Sequence, residues 1–358
     1  MDREEVIRKK KEIEERFGGW TSHNIRLADD LYTYQIPFPN RPGKPYTEHE
    51  GVDPRVRRVL QIVSDVTGEP FEKLRVLDLA CLEGAFAVEL ALHGAKVLAM
   101  DIREANIEMT RFAKEVHRLN NLDLALEDVR KLSKTKYGSF DVVLCLGILY
   151  HLDAPSLGPF MERVSEVCQR VAIVDTHISL VAKESFVWNG KTYWGRSHPE
   201  HDPSQNLEER LKQSWMSLDN DTGFCFTRRS LYNFLRHLGF TSVYECHNPM
   251  DLIFADRITL VAIKGNPVTV KTMPLLDAPE VDWCEIMELF EYPELNQDVY
   301  PHCKLADAFD ATSVRTPHTK LNPVLEFVVQ FSAKLLPRPV KTLLKKVRWV
   351  QQILNPSR

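Results

Sequence analysis

The sequence predicts an α/β fold: a Rossmann-like, seven-stranded, mostly parallel sheet with helices on both faces, an N-terminal lid and a C-terminal helical extension. Three observations predict it. Short apolar runs alternate with stretches of helical periodicity between residues 53 and 265. The links between them are short, which leaves parallel strands covered by helices as the packing solution. One run, "FDVVLCLGILYHL", is apolar at both alternating phases, as a strand buried on both faces must be.

Taken in order, "DREEVIRKKKEIEER" is a charged helix with little apolar face, read as a solvated lead-in. "FGGWTSHNIRLADDLYTYQIPFPNRPGKPY" is rich in aromatics, Pro and Gly and reads as irregular chain. Val56, Val59, Leu60 and Val63 then recur at helical spacing. "LRVLDLA" is the first core strand, and "GAFAVELALHG" a helix that Gly94 stops. "AKVLAMD", "LDLALED", the "FDVVLCL" run and "RVAIVDTH" follow as strands, with helices at "ANIEMTRFAKEVHRLN" and "MERVSEVCQ". A helix at "TRRSLYNFLRHLGF" leads to an antiparallel closing pair, "SVYECHNP" and "RITLVAIKG". The expected organisation is a lid segment over 1–52, a core domain over 53–265 with an insertion at 178–222, and an extension over 266–358.

The chain has 358 residues, 44% of them hydrophobic and 27% charged, enough apolar content to fill a large core. A net charge of -4 makes a nucleic-acid partner unexpected. The 7 cysteines show no CxxC spacing, and Cys81, Cys145 and Cys168 lie in apolar runs, so reduced buried thiols are expected. Neither a secretory leader nor an apolar run of about 18 residues stands out, and a cytoplasmic location follows as the expectation.

In sheets of this kind ligands bind beyond the carboxyl ends of the central strands. Asp78 lies at the end of the first core strand, "ACLE" makes the turn, and Gly84 opens the helix. Asp101 closes the second, where a carboxylate can accept hydrogen bonds from ribose hydroxyls, and Glu127, Asp128 and Val129 close the third. A competing role for Asp101 is to cap the helix after "DIRE". This ensemble resembles the class I S-adenosylmethionine-dependent methyltransferases over residues 75–175, and by topology to about residue 264. Ala80 and Leu82 depart from the family by standing where it usually has glycines. Ala80 is small enough for close backbone approach, whereas Leu82 must point away or narrow the pocket. The resemblance implies S-adenosylmethionine as cofactor. It assigns the methionine amino and carboxylate groups to Asp78 and the backbone of Ala80, Cys81 and Gly84. It gives the ribose to Asp101, the adenine face to Ile102, the adenine amino edge to Asp128 and Val129, and the floor of the methionine arm to Leu146 and Gly147.

A hydroxyl acceptor benefits from a general base, and His151 and His177, just past the fourth and fifth strands, are the candidates. His151 as a packing residue is the competing reading. The insertion carries Trp188, Tyr193, Trp194, Arg196, His198 and Trp215, a mixture suited to sugars; filling a small subdomain core is the alternative. Tyr193, Arg196 and Trp215 are the expected substrate contacts, together with Trp20 and His23 of the lid. Asp175, His177, Glu184, His198, His201 and Asp202 match no compact ligand motif, so no metal is expected.

Residues 324–358 hold seven basic residues against Glu326, a charge of +6 that leaves -10 on the rest. Val340, Leu343, Leu344, Val347, Val350 and Leu354 share one helical face, which suits an anionic membrane surface, the protein's own acidic body or a second subunit. The combined reading is an O-methyltransferase for a sugar-containing or lipid-linked glycan or metabolite. The alternatives are an enzyme of the tRNA wobble-uridine methyltransferase or carboxymethyltransferase group, disfavoured by bulk charge, and a non-catalytic cofactor-binding scaffold.

Overall fold

A computed structural model describes residues 1–33, 54–246 and 256–267. The elements in chain order are α1 (Arg3–Phe17), β1 (Arg26–Ala28), β2 (Leu31–Tyr32), α2 (Pro54–Thr67), β3 (Arg75–Leu79), α3 (Ala85–Leu92), β4 (Lys96–Asp101), α4 (Glu104–His117), β5 (Leu122–Leu126), α5 (Lys134–Tyr137), β6 (Phe140–Leu146), α6 (Ala154–Val167), β7 (Cys168–His177), β8 (Glu184–Trp188), β9 (Lys191–Pro199), α7 (Leu207–Leu211), β10 (Thr222–Phe226), α8 (Arg228–His237), β11 (Ser242–Glu245) and β12 (Arg257–Ile263).

Seven strands form one sheet in the order β11-β12-β7-β6-β3-β4-β5. β12 runs antiparallel to both neighbours, while β3, β4, β5, β6 and β7 pair in parallel. The order reverses between β3 and β6, so the crevice beyond these two strands is where a ligand fits. Alternation along each strand feeds two cores. Val76, Val97, Val142 and Ile173 join residues of α2, α3 and α4 on one face. Leu77, Met100, Val143 and Val174 join α6 and α8 on the other. Each such fully buried side chain contributes about 1.5–3 kcal/mol of transfer free energy before the entropy of ordering is counted.

Two regions differ from expectation. Helix α1 is docked, not a free lead-in: Val6 is buried, and Lys9 and Arg16 form ion pairs with Glu115 and Glu104 of α4. A charged sequence needs few apolar side chains to dock when the long basic stems cover surface themselves. The insertion is a subdomain, an antiparallel sheet in the order β10-β9-β8. Its hairpin turns at Asn189-Gly190, both with positive φ, the pairing that a tight two-residue turn demands. Gly158 of α6 lets it dock, because a Cβ there would lie 2.2 Å from Trp188. Residues 324–358, with their basic amphipathic pattern, lie outside the described residues.

Candidate active site

One cavity opens beyond the carboxyl ends of β3, β4, β5, β6 and β7, enclosing about 1350 Å³ counted to its open mouth. Asp78, Ala80, Cys81, Asp101, Ile102, Asp128, Val129, Leu146, Gly147, His151, His23 and Trp215 all line it. The turn after β3 keeps a glycine-like backbone without the glycines: Ala80 and Leu82 have φ of 51° and 50°. Such angles cost of order 1 kcal/mol or more each for residues with a Cβ and persist only where the surroundings enforce them. Here the Leu82 amide donates to Asp101 Oδ2 at 3.0 Å, fixing the turn to the next strand. Leu82 itself lines the cavity and narrows it. Gly84, with φ of 81°, could not be replaced, since a Cβ would meet Thr110 at 2.4 Å.

Asp78 is buried, and its Oδ2 has no hydrogen-bond partner among the described residues. Burial, then the charge of Asp101, raises its carboxyl to about 8, against the Ala87 amide. A buried acid with an unmet oxygen beside a cavity fits a cationic ligand group, as the amino group of S-adenosylmethionine is. Asp101 is raised to about 6 by burial, while the amides of Arg103 and Leu82 and the Asn106 side chain act to lower it. Its Oδ1 accepts from the Arg103 amide at 2.9 Å, so it braces the start of α4 as well as facing the cavity.

Several expected roles need correction. The amides of Cys81 and Gly84 are spent inside the fold, on the carbonyls of Met100 (3.0 Å) and Cys81 (2.9 Å), so neither serves a ligand carboxylate. Gly84 does not line the cavity; its role is the turn. Both oxygens of Asp128 are held by Arg130 at 2.7–3.0 Å. Burial acts to raise the Asp128 carboxyl, but Arg130 holds it below the usual range. That leaves the backbone at Val129 as the better mark for an adenine edge. His177 lies outside the lining, its Nδ1 3.2 Å from Asp256 and its ring edge-on to Tyr150. Burial lowers its pKa, with Arg257 adding to the effect and Asp256 opposing it. Tyr193 is a core residue: it packs on Phe226 and Phe234, and its hydroxyl meets His237 Nδ1 at 2.9 Å. Arg196 is exposed and away from the cavity, and Trp20 is buried against Phe112. Tertiary packing against α8 and α4 decided these aromatics, and no local pattern encodes it.

Asp175, His177, Glu184, His198, His201 and Asp202 are separately engaged, by Arg257, Asp256, Ser197, Glu200, Gln213 and Ser204. Among the described residues no group of three or more such side chains is arranged to hold a metal ion.

Two residues at the site escaped sequence reasoning. Glu83, 1% exposed, accepts from the amides of Thr21, Ser22 and His23 and from the Thr21 hydroxyl, at 2.5–3.0 Å. It ties the N-terminal segment over the β3 turn, with His23 Nδ1 accepting from the Ala85 amide at 3.2 Å. Glu200, 4% exposed, comes from the insertion and meets His151 Nδ1 at 2.9 and 3.0 Å. It also accepts from His198 Nε2 at 3.0 Å and the Ser217 amide at 2.9 Å. Burial acts to raise Glu200, but His151 and His198 hold it down at about 2. His198 is raised to about 9 by Cys225 and Glu200. Facing an ionised carboxylate, His151 must carry its proton on Nδ1, which makes Nε2 the basic nitrogen. Nε2 has no hydrogen-bond partner among the described residues. The cluster "HPEHDP" was the available signal, but only the fold pairs Glu200 with His151.

Topology, strand-end acids and the cavity together define a class I S-adenosylmethionine-dependent methyltransferase domain. Residues 76–170 match the family described as "Methyltransferase domain". The chain is similar to the O-antigen chain terminator bifunctional methyltransferase/kinase WbdD of Escherichia coli, 29% identical over 161 residues, 41% of this chain and 20% of that protein. It is 27% identical over 104 residues to the ubiquinone biosynthesis O-methyltransferase of Acinetobacter baylyi, 29% of this chain and 41% of that one. The chain thus spans about a fifth of the chain terminators it matches. Among solved structures, the N-terminal domain of EvdMO1, determined in the presence of SAH and D-fucose, superposes with a TM-score of 0.53 and 25% identity, covering 74% of this chain and 98% of that one.

Proposed function

We propose that this chain methylates a hydroxyl of a sugar-containing acceptor, with His151 as the general base and Glu200 as the residue that orients it. The observation that carries this reading is a cavity-lining imidazole whose Nδ1 is fixed by a buried carboxylate. The similarity to the EvdMO1 domain, determined with SAH and D-fucose, and to an O-antigen chain terminator supports a sugar as acceptor.

S-adenosylmethionine, when bound, supplies an electrophilic methyl group. Asp78 would hold its amino group, Asp101 its ribose hydroxyls, and Ile102 and Val129 its adenine. The chain's own work is positioning and proton transfer. His151 Nε2 accepts the hydroxyl proton as the acceptor oxygen becomes nucleophilic, and Glu200 stabilises the resulting imidazolium. Trp215, 53% exposed at the cavity, offers a face on which a sugar ring can stack. Ser22 and His23 of the N-terminal segment and the insertion contribute to the cavity wall and would limit the access of water to the reacting atoms.

The test is methyl transfer from labelled S-adenosylmethionine to a panel of mono- and oligosaccharides, against His151→Ala. Product on a sugar hydroxyl that disappears in the variant supports the reading. Transfer only to RNA, or equal turnover in the variant, defeats it. The basic pattern of residues 324–358 further suggests an acceptor near an anionic bilayer; flotation with anionic vesicles that is unaffected by removing those residues would reject that.

A further inference from the structure

Arg103 sits two residues beyond the ribose-side acid and is 4% exposed. Its guanidinium donates to the backbone carbonyls of Arg210, Leu211, Gln213, Met216 and Ser217 at 2.9–3.3 Å. These five acceptors belong to one stretch of the insertion, running from the last residues of α7 into the loop that carries Trp215 and Met216 into the cavity lining. That stretch contains no β-strand, so few ladder hydrogen bonds hold it. The two Nη groups of a planar guanidinium, four N–H bonds between them, serve this set of carbonyls; an ammonium with three cannot.

The loop has a second anchor in Asp219, which pairs with Arg130. It also meets the N-terminal segment, where Thr21 Oγ1 lies 3.3 Å from Ser214 Oγ. The two covers therefore touch above the β3 turn, one held by Glu83 and the other by Arg103. Asp101 is tied to Arg103 by geometry, its Oδ1 accepting from the Arg103 amide at 2.9 Å, and its negative charge favours the guanidinium against the cost of burial.

We propose that Arg103 is a positioning residue that couples occupancy of the Asp101 ribose site to closure of the 210–219 loop over the cavity. The inference rests on the cofactor reading above. Hydroxyls donating to Asp101 favour its anion; the anion favours the buried guanidinium; the guanidinium gathers the loop carbonyls. By linkage the closed loop tightens ribose binding by the same factor.

Hydrogen exchange across residues 207–221, with and without SAH, tests this alongside calorimetric titration of SAH. In the wild-type protein SAH slows exchange in that stretch, and so does adenosine, whereas homocysteine, which lacks the ribose, does not. Arg103→Lys keeps the charge but not the fork. It weakens SAH binding about tenfold and abolishes the SAH-dependent slowing, leaving exchange in β4 and α4 unchanged. A merely structural arginine would loosen the loop equally with and without ligand. If SAH fails to bind the wild-type protein, the cofactor reading itself falls. If SAH binds but the loop does not respond, or Arg103→Lys responds like wild type, the coupling is overturned. The adenosine and homocysteine arms use the wild-type chain and decide the matter even should the variant not fold.

Discussion

The two halves of the cavity treat buried acid in opposite ways. At the ends of β3 and β4, Asp78 and Asp101 are raised to about 8 and about 6, and one oxygen of Asp78 has no partner among the described residues. On the side of His151, Glu200 lies between two histidines and a backbone amide, and Asp175 is held by Arg257 and Thr259 at 2.6–2.7 Å. The first half holds acids whose ionised forms burial disfavours and a cationic ligand would favour. The second is preorganised and needs no ligand to complete it. Binding free energy should therefore come from the first half, and orientation of the reacting groups from the second.

The largest effect that would break this division is on turnover. His151→Ala should lower kcat about 100-fold or more while SAH affinity is unchanged, measured by steady-state kinetics and calorimetry on the same preparation. Loss of SAH binding in this variant would show the halves are not separable. Next in size, Glu200→Gln removes a charge-assisted hydrogen bond of about 1.5–3 kcal/mol, so kcat should fall roughly 10- to 100-fold. KM for the acceptor should hardly move, because the imidazole is still present but no longer fixed in tautomer. A rise in KM with constant kcat would instead make Glu200 a substrate contact. Asp78→Asn should act the other way, weakening SAH binding about tenfold with a small effect on the orientation of His151. Equal affinity for SAH in that variant would remove Asp78 from the cofactor site.

The same division explains how much was legible in the sequence. The positions of the acids are written locally, since Asp78, Asp101 and Asp128 lie at the ends of successive strands and strand ends follow from apolar periodicity; that Arg130 holds Asp128, and that the Cys81 and Gly84 amides bond within the fold, is not. What Ala80 and Leu82 concealed was only spelling, since the backbone there keeps the left-handed turn. The acceptor half is written in long-range contacts. Glu200 meets a histidine 49 positions away, and Arg103 reaches carbonyls more than 100 positions on. Residue type alone made His151 and His177 equivalent, and only the fold turned His177 toward Asp256. The aromatics of the insertion divide for the same reason. Tyr193 and Trp215 are alike in sequence, yet one fills the core against α8 and the other lines the cavity.

The smallest effect is also the one most specific to unmet charge. An unfolded-state aspartate titrates near 3.8, whereas Asp78 in the fold titrates at about 8. Between these values the folded chain binds a proton that the unfolded chain has released, so stability falls as pH rises and levels off above about 8. Asp101, raised to about 6, adds to the slope at its lower end. His198, raised to about 9 from 6.5, contributes stability that is full below 6.5 and is lost as pH rises through 9. The melting temperature of the ligand-free protein should therefore decline from pH 5 to 9. Asp78→Asn should flatten the portion below pH 8, its melting temperature changing less with pH than that of the wild-type protein. SAH should reverse the sign of the Asp78 contribution, because its ammonium pairs with the ionised carboxyl. Its binding should accordingly tighten between pH 6 and 8 with proton release, seen as a heat that depends on the ionisation enthalpy of the buffer. Binding heat independent of buffer, with a melting curve unchanged by Asp78→Asn, would mean that Asp78 is already ionised and paired.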